Sequence, residues 1–510
     1  MRIVKRTFIW AAITILTVGC SGVLKSGQGS AADSVVTFTI LHLNDIYEIA
    51  PVESGQRGGL ARVATILHGL ENENPNTVAI LAGDLLSPSA IGATKIHGKP
   101  IAGAHMVEVL NTLGLDYVTL GNHEFDVGEA VLEQRITDSQ FKWLTDNAFD
   151  AQGKRFSGTM EHDVVTFRNR HGAAVRVGLI GVCLDAAKKK WVSYTSPLEA
   201  AQRQVTKLKD DADLIVAMTH LKMSQDKELA ATVPELEILM GGHEHEHANA
   251  VSGNDHTPIY KADANAKTVY VHRFRYDTHE QTLLGVDSKL VVVDDSIPED
   301  PEVARLVKGW IDRVYAALRA KSFEPEEVIG IAKETLDGQE SSVRNHPTNL
   351  TKLIAASFAD AAPKADAVIY GSGSIRIDDR IMPGNVPAFD VLRIFPFGGY
   401  LILAEMTGDL PQDTLEQGDK KVGSGGYLLY GAVSRDATGA WLVKGQPLIR
   451  EKIYKVLFDD FVFMGVKKRV TSLNLSTQRG MLKQIRQTAP MQDLFIARLK
   501  HDMNTKGGSP

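Results

Sequence analysis

The chain has 510 residues, of which 44% are hydrophobic and 23% are charged, and its net charge is −6 at pH 7. This length allows two to four domains, and the hydrophobic fraction suits buried cores. The acidic balance, together with the lack of a basic stripe in the sequence, gives no indication of binding to a nucleic-acid polymer.

The N-terminal residues 1–34 resemble a bacterial export signal followed by a flexible tether. A basic start precedes the apolar stretch from Phe8 to Val18, which is too short for an ordinary membrane-spanning helix. The Gly-Cys-Ser sequence that follows resembles a lipoprotein processing site, so we expect Cys20 to become the lipidated N-terminus. Thr17 stands where Leu is more usual, which leaves simple secretion with cleavage near Ala31 as the alternative. The sequence therefore indicates an exported protein of the periplasm or cell envelope, which the lipid would anchor to a membrane.

The remaining cysteine, Cys183, lies inside the apolar run from Val175 to Leu184. With Cys20 used as the tether, the chain has no second cysteine for an intramolecular disulfide. We therefore predict that Cys183 packs in a core.

Strands and helices alternate from Val35 onward. The β-branched run from Val35 to His42 predicts a buried strand, and amphipathic segments predict helices over 63–70 and 102–113. Further apolar runs predict strands over 78–82, 116–120, 175–182, 214–218 and 236–240. This alternation predicts a layered α/β domain.

Five of the predicted strands end in residues that can bind a metal ion. These are Asp45, Asp84, Asn122, His220, and His243 with His245. One such ending is ordinary, because Asp and Asn also stabilise turns and helix starts. Five endings at the same sheet edge are typical of a ligand site, since α/β proteins bind ligands at the carboxyl ends of their strands. The sequence therefore predicts a metal site there.

The segments after this site predict a change of architecture. Alternating apolar and polar residues over 269–275 and 283–293 predict antiparallel strands that complete a second sheet. Apolar residues at helical spacing over 302–321 predict a helix. That helix either connects two domains or belongs to one of them.

The strand endings stand in motifs that resemble a known family. The order Asp45-x-Tyr47, Gly83-Asp84, Gly121-Asn-His-Glu124, Thr219-His220 and Gly242-His-x-His245 is similar to that of calcineurin-like metallophosphoesterases. The longer forms over 40–45, 58–62 and 121–126 resemble the 5′-nucleotidase family in particular. The match covers residues 38–250 and, more weakly, the C-terminal half.

The resemblance implies a fold and a set of domains. The catalytic domain would be a four-layer α/β-β/α sandwich over residues 35–296. A linker helix over 297–325 would lead to a smaller α+β substrate-binding domain over 326–490, and 491–510 would be a tail.

The resemblance also implies two divalent metal ions. Asp84 would bridge them, Asp45 and His245 would bind one, and Asn122, His220 and His243 would bind the other. Oxygen and imidazole ligands without thiolate suit Mn, Zn, Fe or Co. His123 would stabilise charge on the phosphoryl oxygens or assist the leaving group, and Asp126 would orient its ring.

Tyr47 departs from the family pattern, which has His at this position. A phenolic oxygen would give the first metal a weaker or iron-preferring site, or a water would replace the missing ligand. Alternatively, Tyr47 only packs beside the site. Our hypothesis is that two metals bind, with the first one labile or redox-sensitive.

In the C-terminal half, the resemblance assigns substrate binding to two arginines and two aromatic residues. Arg344 and Arg376 would bind phosphate or carboxylate-like oxygens, and Phe397 and Phe461 would stack on a base. Without the resemblance, both Phe residues would be predicted to lie in a core. The segment 464–468 replaces the acid that would hold ribose hydroxyls with lysines, which indicates a different or more highly charged substrate.

Taken together, these features predict a hydrolase of nucleoside 5′-monophosphates or related phosphomonoesters, acting by attack of a metal-bound hydroxide. One alternative is a diesterase or pyrophosphohydrolase acting on cyclic nucleotides or nucleotide sugars. Another is a non-catalytic nucleotide-binding lipoprotein with a degenerate metal site. The sequence indicates no protein partner.

Overall fold

The structure is a computed structural model that describes residues 33–472 and 482–506. The predicted export signal and the lipidation at Cys20 therefore lie outside the described residues. Within the described ranges, no helix combines the length and apolar character that crossing a bilayer requires.

The N-terminal part (residues 33–319) alternates strands and helices, as the hydrophobic pattern predicts. Its strands are β1 (Val35–Leu43), β2 (Thr77–Leu81), β3 (Lys95–Ile96), β4 (Lys99–Pro100), β5 (Tyr117–Thr119), β6 (Lys142–Leu144), β7 (Ala148–Asp150), β8 (Thr159–Met160), β9 (His162–Arg168), β10 (Ala174–Cys183), β11 (Val192–Tyr194), β12 (Leu214–His220), β13 (Leu236–Gly241), β14 (Ala248–Ser252), β15 (Thr257–Lys261), β16 (Thr268–Asp277) and β17 (Thr282–Val292). Its helices are α1 (Leu60–Glu73), α2 (Ala90–Ala93), α3 (Ala104–Leu113), α4 (Glu129–Asp138), α5 (Pro197–Leu208), α6 (Met223–Thr232) and α7 (Pro301–Arg319), with 3-10 turns at His123–Asp126 and Ala264–Ala266.

Two sheets face each other in this part. The first has the order β17-β16-β1-β2-β5-β6-β8, and the second has the order β14-β15-β13-β12-β10-β9. Phe38 of β1 stacks on Phe167 of β9, with ring centroids 4.5 Å apart, so the two inner faces share one apolar core. Helices α1, α3 and α7 contribute to the core on the outer face of the first sheet, and α5 and α6 cover the second. This confirms the predicted four-layer α/β-β/α sandwich.

Two predictions about the sheets are wrong. β16 and β17 do not complete a second sheet, because β16 pairs with β1 and extends the first one. The ligand-bearing strands also do not share one sheet edge: β1, β2 and β5 belong to the first sheet, and β12 and β13 belong to the second. Alternation along a strand shows which residues face a core, but not which strand is its neighbour. The carboxyl ends of both sheets meet at the site instead.

Helix α7 belongs to the first core. Asp300 accepts hydrogen bonds from the backbone N–H groups of Glu302 and Val303, and Pro301 occupies the first turn, so the helix start is well specified. Its apolar face packs against α1 and α3. Cys183 is buried in the same core, as predicted.

The C-terminal part (residues 328–472 and 482–506) is built on a five-stranded sheet with the order β24-β20-β28-β23-β29. Its strands are β18 (Val328–Ala332), β19 (Leu336–Asp337), β20 (Ala367–Gly371), β21 (Arg380–Ile381), β22 (Gly384–Pro387), β23 (Tyr400–Thr407), β24 (Leu428–Gly431), β25 (Val433–Arg435), β26 (Trp441–Val443), β27 (Gln446–Pro447), β28 (Ile453–Asp459) and β29 (Leu482–Pro490). Its helices are α8 (Glu340–Val343), α9 (Asn349–Ala361), α10 (Ala388–Ile394), α11 (Asp409–Asp419), α12 (Asp460–Ser472) and α13 (Met491–Lys506), with a 3-10 turn at Ser372–Ser374.

The segment predicted as a tail, residues 491–510, is a helix over most of its length. Met491, Phe495 and Leu499 of α13 are buried in the core of the C-terminal part. The helix packs on β18 and α9. Leu494 and Ile496 add apolar side chains between these positions, so the helix lacks a sharply defined polar face and the sequence does not reveal the packing.

An ion pair and a hydrogen bond join the two parts. Arg393 of α10 lies 3.4 Å from Glu48 of the N-terminal part and 2.7 Å from Asp379. The backbone N–H of Glu53 donates to Asp379 Oδ1 at 3.1 Å. The C-terminal part is therefore held next to the carboxyl ends of the strands.

Candidate metal centre

The residues at the strand ends turn inward through unusual backbone conformations. Asp45, Asp84, His243 and His245 have positive φ values of 53°, 60°, 89° and 61°. Residues other than Gly rarely adopt positive φ values, and each one that does lowers the stability of the fold by about 1–3 kcal/mol. Four strained residues in one place indicate that the surrounding structure holds these side chains for a purpose other than stability.

Two carboxylates and an imidazole form the centre of the site. Donor atoms of Asp45, Asp84 and His220 all lie within 4.8 Å of one another, and all three residues are buried. His220 Nε2 is 3.2 Å from Asp84 Oδ2 and 3.9 Å from Asp45 Oδ1. Since buried carboxylates are costly without compensating charge, this arrangement fits a bound cation.

His245 and Tyr47 extend the cluster on one side. His245 Nε2 lies 3.4 Å from Asp45 Oδ1 and 2.9 Å from the Tyr47 hydroxyl. The Tyr47 hydroxyl also lies 3.3 Å from Asp45 Oδ1 and 3.1 Å from Asp84 Oδ2. Tyr47 therefore reaches into the centre of the cluster and does not merely pack beside it.

Asn122 and His220, two of the predicted ligands, each bury an atom that could bind a metal ion. Asn122 Oδ1 and His220 Nε2 are buried and have no hydrogen-bond partner among the described residues. His220 Nδ1 lies 2.7 Å from the carbonyl of Ala82. Because a carbonyl only accepts, Nδ1 carries a proton, and Nε2 is the ring atom that would bind a metal ion. These atoms fit a divalent cation.

His243 completes the group of strand-end residues. Its backbone N–H donates to Asp45 Oδ2 at 2.8 Å, and its ring centroid lies 5.5 Å from that of His220. Burial, followed by the nearby His220, lowers the pKa of the His243 imidazole to about 3. A neutral ring keeps a lone pair that can bind a metal ion.

The charges of the cluster are strongly coupled. Burial alone would raise the pKa of Asp45, but His220 and His245 lower it to about 2. His220 and His123 likewise lower the pKa of Asp84 against the effect of burial. Conversely, Asp84 and Asp45 outweigh burial at His220 and raise its pKa to about 9. The site therefore holds ionised carboxylates that attract positive charge.

Glu124 joins two of the strand ends, a role that sequence reasoning missed. It is buried and accepts hydrogen bonds from the backbone N–H groups of Asp84 at 2.9 Å, Leu85 at 2.7 Å and Gly121 at 2.6 Å. Burial, followed by the charge of Asp84, raises the pKa of Glu124 to about 7. The only signal in the sequence is that Glu124 directly follows the Asn-His pair.

His123 and Asp126 form the predicted dyad beside the cluster. His123 Nδ1 lies 2.7 Å from Asp126 Oδ2, and the backbone N–H of His123 donates to Asp84 Oδ1 at 2.7 Å. Lys189 Nζ lies 3.1 Å from Asp126 Oδ1 and adds a cation that the sequence did not suggest. Since Nδ1 is engaged by Asp126, Nε2 is the ring atom left to act on a substrate.

The C-terminal part supplies a partner for His245. Asp378 Oδ2 lies 2.9 Å from His245 Nδ1, and Asp378 Oδ1 accepts the backbone N–H of Glu340 at 2.7 Å. A carboxylate behind an imidazole fixes the ring and increases its basicity as a ligand. Sequence reasoning missed Asp378, because it is 133 positions away from His245 in the chain.

The predicted substrate-binding residues lie in the C-terminal part, and two of them are near each other. The Arg376 guanidinium lies 5.8 Å from the centre of the Phe397 ring, and its Nε atom is buried with no hydrogen-bond partner within 33–472 and 482–506. Arg344 forms an ion pair with Glu340, and burial lowers the pKa of its guanidinium. Phe397 and Phe461 are 58% and 84% exposed, so the core position that their residue type alone suggests is wrong.

Comparison with known proteins matches both parts of the chain. The family described as calcineurin-like phosphoesterase matches residues 38–247, and the 5′-nucleotidase C-terminal domain matches residues 328–473. The chain belongs to the 5′-nucleotidase family of calcineurin-like phosphoesterases. It is therefore a phosphoric ester hydrolase, and proteins of this family use divalent metal ions.

Individual relatives span most of the chain. The protein UshA of Yersinia enterocolitica is 25% identical over 496 residues, covering 85% of this chain and 86% of its own length. The 5′-nucleotidase of Bos taurus is 24% identical, and the match covers 84% of this chain and 83% of that protein. The crystal structure of the 5′-nucleotidase precursor of Thermus thermophilus has a TM-score of 0.75 at 22% identity, covering 91% of this chain and 96% of that one. The sulfate thiohydrolase SoxB of the same genus has a TM-score of 0.69 at 15% identity, over 91% and 94% of the two chains. Both structural likenesses concern the fold.

The carboxylate behind His245 is expected to strengthen metal binding in this 5′-nucleotidase family member. Asp378→Asn keeps the shape but removes the charge, so the affinity of the cluster for Mn²⁺ should fall about 10–100-fold. Metal content after competition with a chelator measures this. Asp263→Asn is the matched control, because Asp263 contacts the exposed His247 in the same way, at 3.0 Å. Equal losses in the two variants would contradict the assignment.

Proposed function

We propose that the chain hydrolyses nucleoside 5′-monophosphates, or related phosphomonoesters, with the help of two metal ions. The supporting observation is the buried cluster of Asp45, Asp84 and His220 next to the His123–Asp126 pair. Bound divalent ions would polarise the phosphoryl group and supply a nucleophile at neutral pH. The family membership supports the reaction class, and the geometry supports the assignment of residues.

The positions of the donor atoms support a division of the proposed ligands between the two ions. Asp84 Oδ2 lies 3.2 Å from His220 Nε2 and 3.1 Å from the Tyr47 hydroxyl, so Asp84 would be shared by both ions. Asp45 and His245 would hold the first ion, and the second would be held by Asn122, His220 and His243. Asn122 Oδ1 supports this division, because it is buried and has no hydrogen-bond partner within residues 33–472 and 482–506. The oxygen and imidazole set suits Mn, Zn, Fe or Co.

Apart from the metal ligands, His123 is the proposed catalytic residue. Asp126 holds Nδ1 of the ring, and Lys189 in turn contacts Asp126. The imidazole would present Nε2 to a phosphoryl oxygen or to the leaving group. It would there stabilise developing charge or deliver a proton. Asp126 is a positioning residue in this scheme.

The C-terminal part would provide substrate recognition. Arg344 and Arg376 would bind oxygens of the substrate through planar guanidinium groups. The exposure of Phe397 and Phe461 supports a stacking role, since an exposed aromatic face is available to a base. Exposed Lys468 on α12, the helix that carries Phe461, favours a substrate with additional negative charge.

Activity depends on the cluster and on His123 in this proposal. With Mn²⁺ present, the full chain should release phosphate from AMP, a chelator should abolish the release, and Asp84→Asn should remove it. His123→Ala should lower kcat about 10²–10⁴-fold, whereas His247→Ala, at an exposed histidine bound to Asp263, should leave kcat unchanged. Turnover of UDP-glucose, cyclic AMP or thiosulfate in preference to AMP would identify a different substrate class. Absence of turnover with every substrate would refute an enzymatic role.

The aromatic residues should matter only for substrates that carry a base. Phe397→Ala and Phe461→Ala should each raise the KM for AMP about 5–150-fold, because stacking contributes about 1–3 kcal/mol per base. Ribose 5-phosphate lacks the base and serves as the control, so its KM should change little. A similar rise for both substrates would show that the two rings support the fold and do not bind the base.

We further propose that the protein is exported and anchored by a lipid on Cys20. The basic start, the short apolar stretch and the Gly-Cys-Ser sequence support this. In cells fed labelled palmitate, the protein should carry the label and sediment with membranes, and Cys20→Ala should lose both properties. A labelled Cys20→Ala protein, or an unlabelled protein released in soluble form, would contradict the anchor.

A further inference from the structure

Tyr47 occupies the position at which the family pattern has a histidine. Its hydroxyl lies 2.9 Å from His245 Nε2, 3.1 Å from Asp84 Oδ2 and 3.3 Å from Asp45 Oδ1. The residue is 5% exposed, and its backbone N–H donates to Asn265 Oδ1 at 3.0 Å. The phenol is therefore fixed among three donor atoms of the proposed first metal position.

These distances match the spacing of neighbouring ligands around one ion. In a six-coordinate site with metal–ligand bonds of about 2.1 Å, adjacent donor atoms lie about 3 Å apart. The three distances from the Tyr47 oxygen fall at this spacing. The separation of His245 Nε2 and Asp45 Oδ1, 3.4 Å, is similar. The hydroxyl thus stands where a ligand to the same ion would stand.

Hydrogen bonding alone does not account for the arrangement. A phenol has one proton, but this one faces carboxylate oxygens of both Asp45 and Asp84. At least one of these contacts therefore brings two lone pairs together in a buried site, which is unfavourable. A cation shared by the oxygens removes the repulsion. The geometry therefore favours coordination over a hydrogen-bonded filler.

The charge of the ligand set indicates which cation would be preferred. Around a bound ion, two carboxylates and a phenolate would carry three negative charges, and His245 would be a neutral donor. A histidine at position 47 would leave only two negative charges. Hard anionic oxygen donors favour a small, highly charged ion.

We propose that Tyr47 is a direct ligand of the first metal, bound as phenolate, and that it makes this position selective for iron(III) over divalent ions. On binding, the phenol O–H bond breaks, the proton leaves to solvent, and an oxygen–iron bond forms while the iron stays ferric. The inference rests on the metal cluster of the proposed function, but not on its substrate.

The test is spectroscopic and does not use activity. The purified full chain is loaded with iron(III) supplied as its nitrilotriacetate complex, with Mn²⁺ added for the second position. A phenolate bound to iron(III) gives a charge-transfer absorption in the visible region, so the loaded protein should be coloured. Tyr47→Phe should lose this band and bind iron(III) at least about 100-fold more weakly.

Two further variants control the experiment. Tyr47→His restores the family pattern and should bind Mn²⁺ at both positions without a visible band. Binding of Mn²⁺ by this variant would show that the site still folds. Tyr117→Phe alters another buried tyrosine, whose hydroxyl donates to Asp163 at 2.8 Å outside the cluster, and should keep the band. Failure of wild type to bind iron(III), bound iron without a band, or a band that persists in Tyr47→Phe would each overturn the proposal.

Hydrolysis of AMP by the Mn²⁺-loaded protein is measured separately. A coloured but inactive protein would refute the proposed function and leave the iron assignment standing. An active protein that stays colourless with iron(III) would refute the iron assignment and leave the proposed function standing.

Discussion

The structure depends on keeping two carboxylates, those of Asp45 and Asp84, ionised and close together in a buried place. Burying unpaired charges costs several kcal/mol each in proteins, and the left-handed backbone at both residues adds strain. The imidazole of His220, 3.2 Å from Asp84, compensates part of the charge. Asn122 Oδ1 is also buried and has no hydrogen-bond partner among the described residues. A fold that accepts these costs at the ends of several strands is organised around cation binding.

Close approach of the strand ends requires glycine at specific positions. A Cβ on Gly121 would lie 2.1 Å from Asp84 Oδ1, and one on Gly242 would lie 2.8 Å from Asp45 Oδ2. Any side chain there would collide with these carboxylates. Glu124 then fixes the spacing, because it accepts backbone N–H groups from two loops at once. The glycines allow the convergence, and the buried carboxylate maintains it.

The identity of the residues that converge on the site can be predicted from the sequence. The arrangement of the strands that carry them is harder to predict. Endings such as Asp84 and His220 are visible because a long apolar run marks each strand and polar residues follow it. The division of those strands between two sheets is not visible, since pairing is decided by contacts distant in the chain. Asp378 and Lys189 are missed for the same reason: each acts through a neighbour that only the fold brings close. The exposed Phe461 is missed without the family resemblance, because phenylalanine is usually buried.

The pair Asp378–Asp379 links the metal site to the arrangement of the two parts. Asp378 orients His245, while the next carboxylate accepts the backbone N–H of Glu53 and pairs with Arg393. Moving this segment away from the N-terminal part would break the contact to the imidazole and the contacts that join the parts. Because coupling between two equilibria is reciprocal, a cation that is held better with Asp378 in place also stabilises the joined arrangement. On the proposed function, metal binding and the placement of the proposed substrate-recognition residues would therefore be linked.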